Sequence, residues 1–260
     1  MPGTSKALHP SGKLEITFTE EDHCYFDANE LSYISTTTLI KKAFPPFDAD
    51  AAAAIKAAKT GQSAEDLKAE WAAAGKAAAD DGTRCHENCE YQIRGEYDRM
   101  HQPRNDEERK RFRTAWHEVE KIKAAFPKLE PEKLIFSPRF LVAGSIDVLA
   151  QRGDEAVIID WKYIRGLKME SFGGRTGIHP ATLALPDSNF WHYALQQNIY
   201  EQILKIEGYI SPMMKVTKML NVYSAERDEF DHVMLPDLGR EAVLLMAWNV
   251  TNDNLEPIPF

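Results

Sequence analysis

Apolar positions along this chain fall into two regimes. Up to about residue 130 they recur at helical spacing or sit among alanines; beyond it they condense into short strand-like runs. Leu14–Phe18 and Cys24–Phe26 can pair as a small hairpin around Glu20-Glu21-Asp22. Ser35 is placed to N-cap a short helix through Lys42, which Phe44-Pro45-Pro46-Phe47 breaks. From Asp48 to Ala79 the chain is alanine-rich and therefore helical, with Gly61 and Gly75 as expected interruptions and Trp71 as a core anchor. A further helix is predicted over Asn105–Phe126, stopped by Pro127. The central sheet is expected to arrive only with Leu134–Phe136, followed by Phe140–Leu149 and Ala156–Lys162. Trp191–Tyr200 reads as a helix whose Leu195 and Ile199, continued by Ile203 and Leu204, form an apolar face. Late strands at Lys218–Ser224 and Phe230–Met234 and a terminal helix over Pro236–Val250 complete the pattern. It predicts an α/β fold: a mixed central β-sheet flanked by helices, with a helix-rich N-terminal half. We read it as a single domain over 1–260, with 1–130 mainly helical and 131–260 carrying the sheet core and C-terminal helix.

Composition narrows the setting. A chain of 260 residues can bury a substantial core. It shows no apolar stretch long enough to span a bilayer and no signal peptide in its polar start, so a soluble, cytoplasmic protein without membrane contact is expected. Three cysteines, Cys24, Cys85 and Cys89, argue against a disulfide framework. Cys85 and Cys89 lie four apart and read as packing thiols, with a thiolate metal site as the alternative. A net charge of −9 is the wrong sign for a nonspecific coat on nucleic acid. Local basic groups can still serve. Arg109-Lys110-Arg111-Phe112-Arg113 is flanked by Glu107, Glu108, Glu118 and Glu120 and is as readily a solvated helix face, whereas Lys162, Arg165, Lys168 and Arg175 follow a strand end directly.

That strand end carries the chemistry. Gly144-Ser145-Ile146-Asp147 is followed thirteen residues after Asp147 by Asp160-Trp161-Lys162, and Gln151-Arg152-Gly153-Asp154 between them forms a turn. Two adjacent strands would thus end in two carboxylates and an amine. Charges at a core edge need partners, and a divalent cation chelated by Asp147 and Asp160 supplies one. The plain alternative is solvated strand-end charges with Lys162 paired to one of them. Upstream, Gly82 opens a helical stretch in which His86 and Glu90 lie one turn apart, either sharing that cation or forming an ordinary surface pair. Downstream, Gln196 and Tyr200 share a helix face, where they either support the site or pack as boundary and core residues. Between Tyr163 and Asn189 lie almost thirty residues of weak pattern, with Gly166, Gly173, Gly174, Gly177, Pro180 and Pro186, that suggest a lid or a plain crossover.

Taken together, these four motifs resemble the PD-(D/E)xK nuclease superfamily, in its RecB-like and phage exonuclease branch. Gly-x-x-x-His-x-x-x-Glu stands at Gly82 to Glu90, Gly-Ser-Ile-Asp at Gly144 to Asp147, Asp-x-Lys at Asp160 to Lys162, and Gln-x-x-x-Tyr at Gln196 to Tyr200, in the family's order. The acid before Lys162 is Asp rather than Glu, which the superfamily admits. The resemblance implies a restriction-endonuclease-like core in a single nuclease domain. It further implies a Mg2+- or Mn2+-dependent DNA exonuclease acting in phage-type recombination, repair or degradation, in the bacterial host cell if phage-encoded. Asp147 and Asp160 would be metal ligands, helped by the Trp161 backbone carbonyl and His86, and Lys162 would position the attacking water. Glu90 would be either an outer base or a ligand through water. Gln196 and Tyr200 would hold the carboxylates and the DNA end, with Arg165, Lys168 and Arg175 as candidate DNA contacts. The iron–sulfur centre of some RecB-like relatives has no cysteine cluster here to hold it. A homo-oligomer and a single-strand annealing or recombination partner are compatible with the resemblance. The alternatives are an endonuclease of the same superfamily and a non-catalytic nucleic-acid-binding module on this fold.

Overall fold

The computed structural model of the chain describes residues 3–164 and 166–251. Among the described residues, nine strands form one mixed sheet and six α-helices flank it, an α/β fold as the hydrophobic pattern predicts. The sheet begins earlier than expected. Strands β1 (Thr4–Leu8), β2 (Glu15–Thr19), β3 (Cys24–Asp27) and β4 (Ser32–Ser35) make an antiparallel meander before any helix. The hairpin of β2 and β3 was legible, but β1 and β4 are four or five residues long and half polar. Their strand identity comes from ladder partners rather than from their own apolar content.

Helix α1 (Thr36–Lys42) follows β4 directly, and Ser35 caps it by accepting the Thr38 N–H. Helix α2 (Ala49–Thr60) ends on Gly61, whose φ of 74° supplies the left-handed cap. Helix α3 (Ala64–Arg94) then runs for 31 residues without a break at Gly75, and Gly82 lies within it rather than at its start. One interior glycine costs only about 1 kcal/mol, which the surrounding alanines and tertiary packing absorb. Helix α4 (Asp106–Ala125) starts at the Asn105 cap. Strands β5 (Lys128–Ser137), β6 (Val142–Arg152) and β7 (Glu155–Lys162) come next, then helix α5 (Asn189–Ile206), strands β8 (Lys215–Ser224) and β9 (Glu229–Met234), and helix α6 (Gly239–Thr251).

The register defines where a site can form. Strand β6 is paired along one edge with β5, antiparallel from Val142 to Gln151 apart from one omitted position. Its other edge is shared. Val142 and Ala143 pair in parallel with Ile34 and Ser35 of β4, and Val148 to Arg152 pair with β7. Gly144 to Asp147 lie in the fork between β4 and β7, with no strand beside them on that edge. The sheet is covered on both faces. Ile146, Leu149 and Ile158 pack with Leu195, Ile199, Ile203 and α6 residues, whereas Val148, Ala150, Ile159 and Trp161 pack with Cys89, Ala115, Val119 and Ile122 of α3 and α4. Helix α3 is therefore held against the strand ends by apolar burial, the dominant favourable term in folding.

The connection from Tyr163 to Ser188 is tied to the end of α1. Ile178 N and Thr182 Oγ1 each donate to the Ala43 carbonyl at 2.9 Å, and the Arg175 guanidinium donates to the carbonyls of Pro45 and Pro46. Cys85 and Cys89 are buried on α3 beside Tyr163, with both thiols pushed well up by burial, as packing thiols should be.

Candidate metal centre

Where β6 and β7 part, a side chain takes over from the ladder. The last regular pair is Val148 with Ile159. One residue further, Asp147 Oδ2 accepts the Trp161 backbone N–H at 2.9 Å, so a carboxylate occupies the place of a main-chain carbonyl. His86 approaches from α3. Its Nε2 lies 2.8 Å from the Trp161 carbonyl oxygen and its Nδ1 3.3 Å from Asp147 Oδ2. A neutral imidazole carries one N–H, so with Nε2–H donating to the Trp161 carbonyl, Nδ1 turns a lone pair toward Asp147 Oδ2, a contact that a shared cation would make favourable.

Glu132, which the sequence reading missed, joins them. Along the β5–β6 ladder every residue from Lys128 to Ser137 has a partner except Glu132, which falls opposite Asp147. Its φ is 45°, uncommon for a residue with a side chain. Ser145 Oγ donates to Glu132 Oε2 at 2.8 Å. Ligand atoms of His86, Glu132 and Asp147 lie within 4.8 Å of one another. Burial, with the charge of Asp147 added, pushes the Glu132 pKa up to about 8. Two ionised carboxylates at such a separation would repel by about 3.5 kcal/mol or more at an effective dielectric constant near 20.

Asp160 and Lys162 stand beside this group. Lys162 Nζ is 2.5 Å from Asp160 Oδ2 and 4.6 Å from the centre of the Tyr193 ring. Burial lifts the Asp160 pKa to about 6 against the pull of Lys162. For Lys162, burial favours the neutral amine, but Asp160 and Asp147 outweigh it and hold the ammonium charged. The ammonium is ion-paired directly with Asp160 Oδ2, and Asp160 is only 4% exposed.

The other sequence candidates divide. Glu90 is turned into an i,i+4 ion pair with Arg94 at 2.8 Å and is not one of the clustered ligands. Gln196 Nε2 donates to Tyr200 OH at 2.9 Å, and both line a cavity of about 150 Å³ in the β4–β7 fork, with Gly144, Ser145 and Ser35 to Thr37. They line this cavity rather than the groove and have no hydrogen bond to a carboxylate among the described residues. Arg175 is engaged by Pro45, Pro46 and Asp187 rather than open to a phosphate. Lys168 is exposed, outside the groove lining. Arg165 lies outside the described residues.

A Mg2+ or Mn2+ ion fits the donor set: carboxylate oxygens, a main-chain carbonyl and an imidazole, with three acids, Glu132, Asp147 and Asp160, beside one ammonium, Lys162. The group opens on a groove of about 1390 Å³ between β1, α3 and β5, whose lining includes His86, Glu132, Asp147 and Lys162.

No protein-family model matches this chain, and no curated protein sequence matches it. Among solved structures, it is similar to the crystal structure of a "putative exonuclease" from Eubacterium rectale, with a TM-score of 0.37 and 11% sequence identity. The similarity covers 65% of this chain and 65% of that one, so the chain spans less than two thirds of that protein's length.

Proposed function

We propose that this chain is a metal-dependent DNA exonuclease. The observation that supports the reading most is the convergence of His86, Asp147 and the Trp161 carbonyl at the fork where β6 and β7 part, with a charged Lys162 alongside and a groove in front. Bound Mg2+ or Mn2+ would supply Lewis-acid polarisation of the scissile phosphate and acidify a water. The protein does the rest. His86, Asp147 and the Trp161 carbonyl would hold the ion, and Asp160 and the Tyr193 ring fix the Lys162 ammonium where it would meet the attacking water and the charge growing on the phosphoryl oxygens. The groove, bounded by β1 on one side and α3 on the other, receives the strand.

The test is cleavage of linear and covalently closed circular duplex DNA with Mg2+, Mn2+ or EDTA. Metal-dependent loss of the linear substrate alone is expected. Nicking or linearisation of the circle would move the assignment to an endonuclease of the same chemistry, and no cleavage of either substrate would overturn the reading.

A further inference from the structure

We infer that Glu132, and not Glu90, is the acid that completes the cation site with His86 and Asp147, an inference that rests on the metal-dependent reading above. Three features place Glu132 there. It stands opposite Asp147 at the single interruption of the β5–β6 ladder, so its side chain is delivered by strand register rather than by a flexible loop. Its backbone adopts a φ of 45°, a sparsely populated conformation for a residue with a side chain and one that clusters at functional sites. Ser145 Oγ pins Oε2, which leaves Oε1 without a hydrogen bond among the described residues and its carboxylate within 4.8 Å of the His86 and Asp147 ligand atoms. Ser145, in the motif that ends at Asp147, is on this account the positioning residue for Glu132.

Glu90 lines the same groove but is turned to another partner. Its Oε1 is held by Arg94 at 2.8 Å, and its carboxylate lies outside the group. A separate observation shows that the site is short of positive charge. Three acids, Glu132, Asp147 and Asp160, gather beside one ammonium, Lys162, and both nitrogens of His86 face oxygens. A hard divalent cation with a preference for oxygen ligands answers both.

The experiment measures Mn2+ binding to the full chain by electron paramagnetic resonance and calorimetry, with melting temperature as a second readout. Wild type, Glu132→Gln, Glu90→Gln, Asp147→Asn and Ser145→Ala are compared. Glu132→Gln is expected to weaken Mn2+ by roughly tenfold or more, to raise the melting temperature of the metal-free protein, and to shrink the further rise that Mn2+ gives. Ser145→Ala should weaken Mn2+ in the same direction and keeps the inference testable if Glu132→Gln folds poorly. Glu90→Gln should bind as wild type does. Wild-type affinity in both Glu132→Gln and Ser145→Ala, or an equal loss in Glu90→Gln, overturns the inference while leaving the metal site standing. Failure of the wild type to bind Mn2+, or full binding by Asp147→Asn, instead overturns the metal-dependent reading itself.

Discussion

The Tyr200 ring occupies the space where residue 144 would carry a side chain. A Cβ built on Gly144 falls 2.6 Å from Tyr200 Cε1 and 3.0 Å from its hydroxyl. Tyr200 cannot easily withdraw, because it is 4% exposed within α5 and its hydroxyl accepts from Gln196. The motif glycine thus serves close packing of helix on strand, three residues along the chain from Asp147 of the carboxylate cluster. Gly144→Ala should cost about 1–3 kcal/mol, the usual range for overpacking. In a double-mutant cycle read by urea unfolding, Tyr200→Leu should recover part of that loss, whereas Tyr200→Phe, which keeps the ring, should not. Additive effects would show that the ring is not what excludes the side chain.

This pairing also shows what was legible in advance. Asp147, Asp160 and Lys162 could be read because they lie on consecutive antiparallel strands joined by a short turn, so local sequence carries their proximity. Glu132 could not. Leu129-Glu130-Pro131-Glu132-Lys133 is polar and contains a proline, which argues against a strand, and only pairing with β6 makes it one. The fork was hidden for a similar reason, since β4 meets β6 across more than a hundred residues of chain. Glu90 illustrates a signal that was present and outweighed. Arg94 lies one turn beyond it and pairs with the carboxylate that helix spacing sets beside His86.

Lys162 should separate binding from chemistry. Its ammonium is held charged by Asp160 and Asp147, and it lines the groove beside the clustered ligands without being one of them. Lys162→Ala should lower the cleavage rate by about a hundredfold or more, the usual effect of removing one group that stabilises transition-state charge. Mn2+ and DNA affinity should change far less. Lys162→Arg should rescue poorly, because the planar guanidinium cannot replace a compact ammonium between Asp160 and the Tyr193 ring. Single-turnover rates beside equilibrium DNA binding decide it; equal losses in both would make Lys162 a binding residue.

Two glycines of α3 distinguish the groove from the rest of the helix. A Cβ at Gly75 or Gly82 would meet nothing within 4 Å, and both sit inside a continuous helix. Alanine at either position should therefore stabilise the protein by about 0.5–1 kcal/mol. Only Gly82 lines the groove. If DNA runs along that wall, Gly82→Ala should weaken DNA binding while Gly75→Ala does not, although both raise the melting temperature. Equal DNA affinity of the two variants would place the strand elsewhere.

Acid should loosen the helix that carries His86 through Glu108. This side chain, 2% exposed on α4, accepts from Arg84 Nε at 2.8 Å and from the Arg104 backbone N–H at 2.5 Å, and Arg84 lies two residues before His86 on α3. Burial disfavours the ionised form, but the bonds from Arg84 and Arg104 outweigh it and hold the pKa near 2, below the ordinary 4.5. A carboxylate whose folded pKa is depressed binds protons more readily when unfolded. Its contribution is therefore fully present above about pH 4.5 and is lost as pH falls toward 2. Glu108→Gln leaves Arg84 without its anionic partner and should cost roughly 3 kcal/mol at pH 7, as breaking a buried pair does. The variant should also lose stability less steeply than wild type between pH 4.5 and 2, because the titrating group is gone. Urea midpoints measured across that range give the answer. Parallel curves for the two proteins would mean that the α3–α4 tether does not depend on the Glu108 charge.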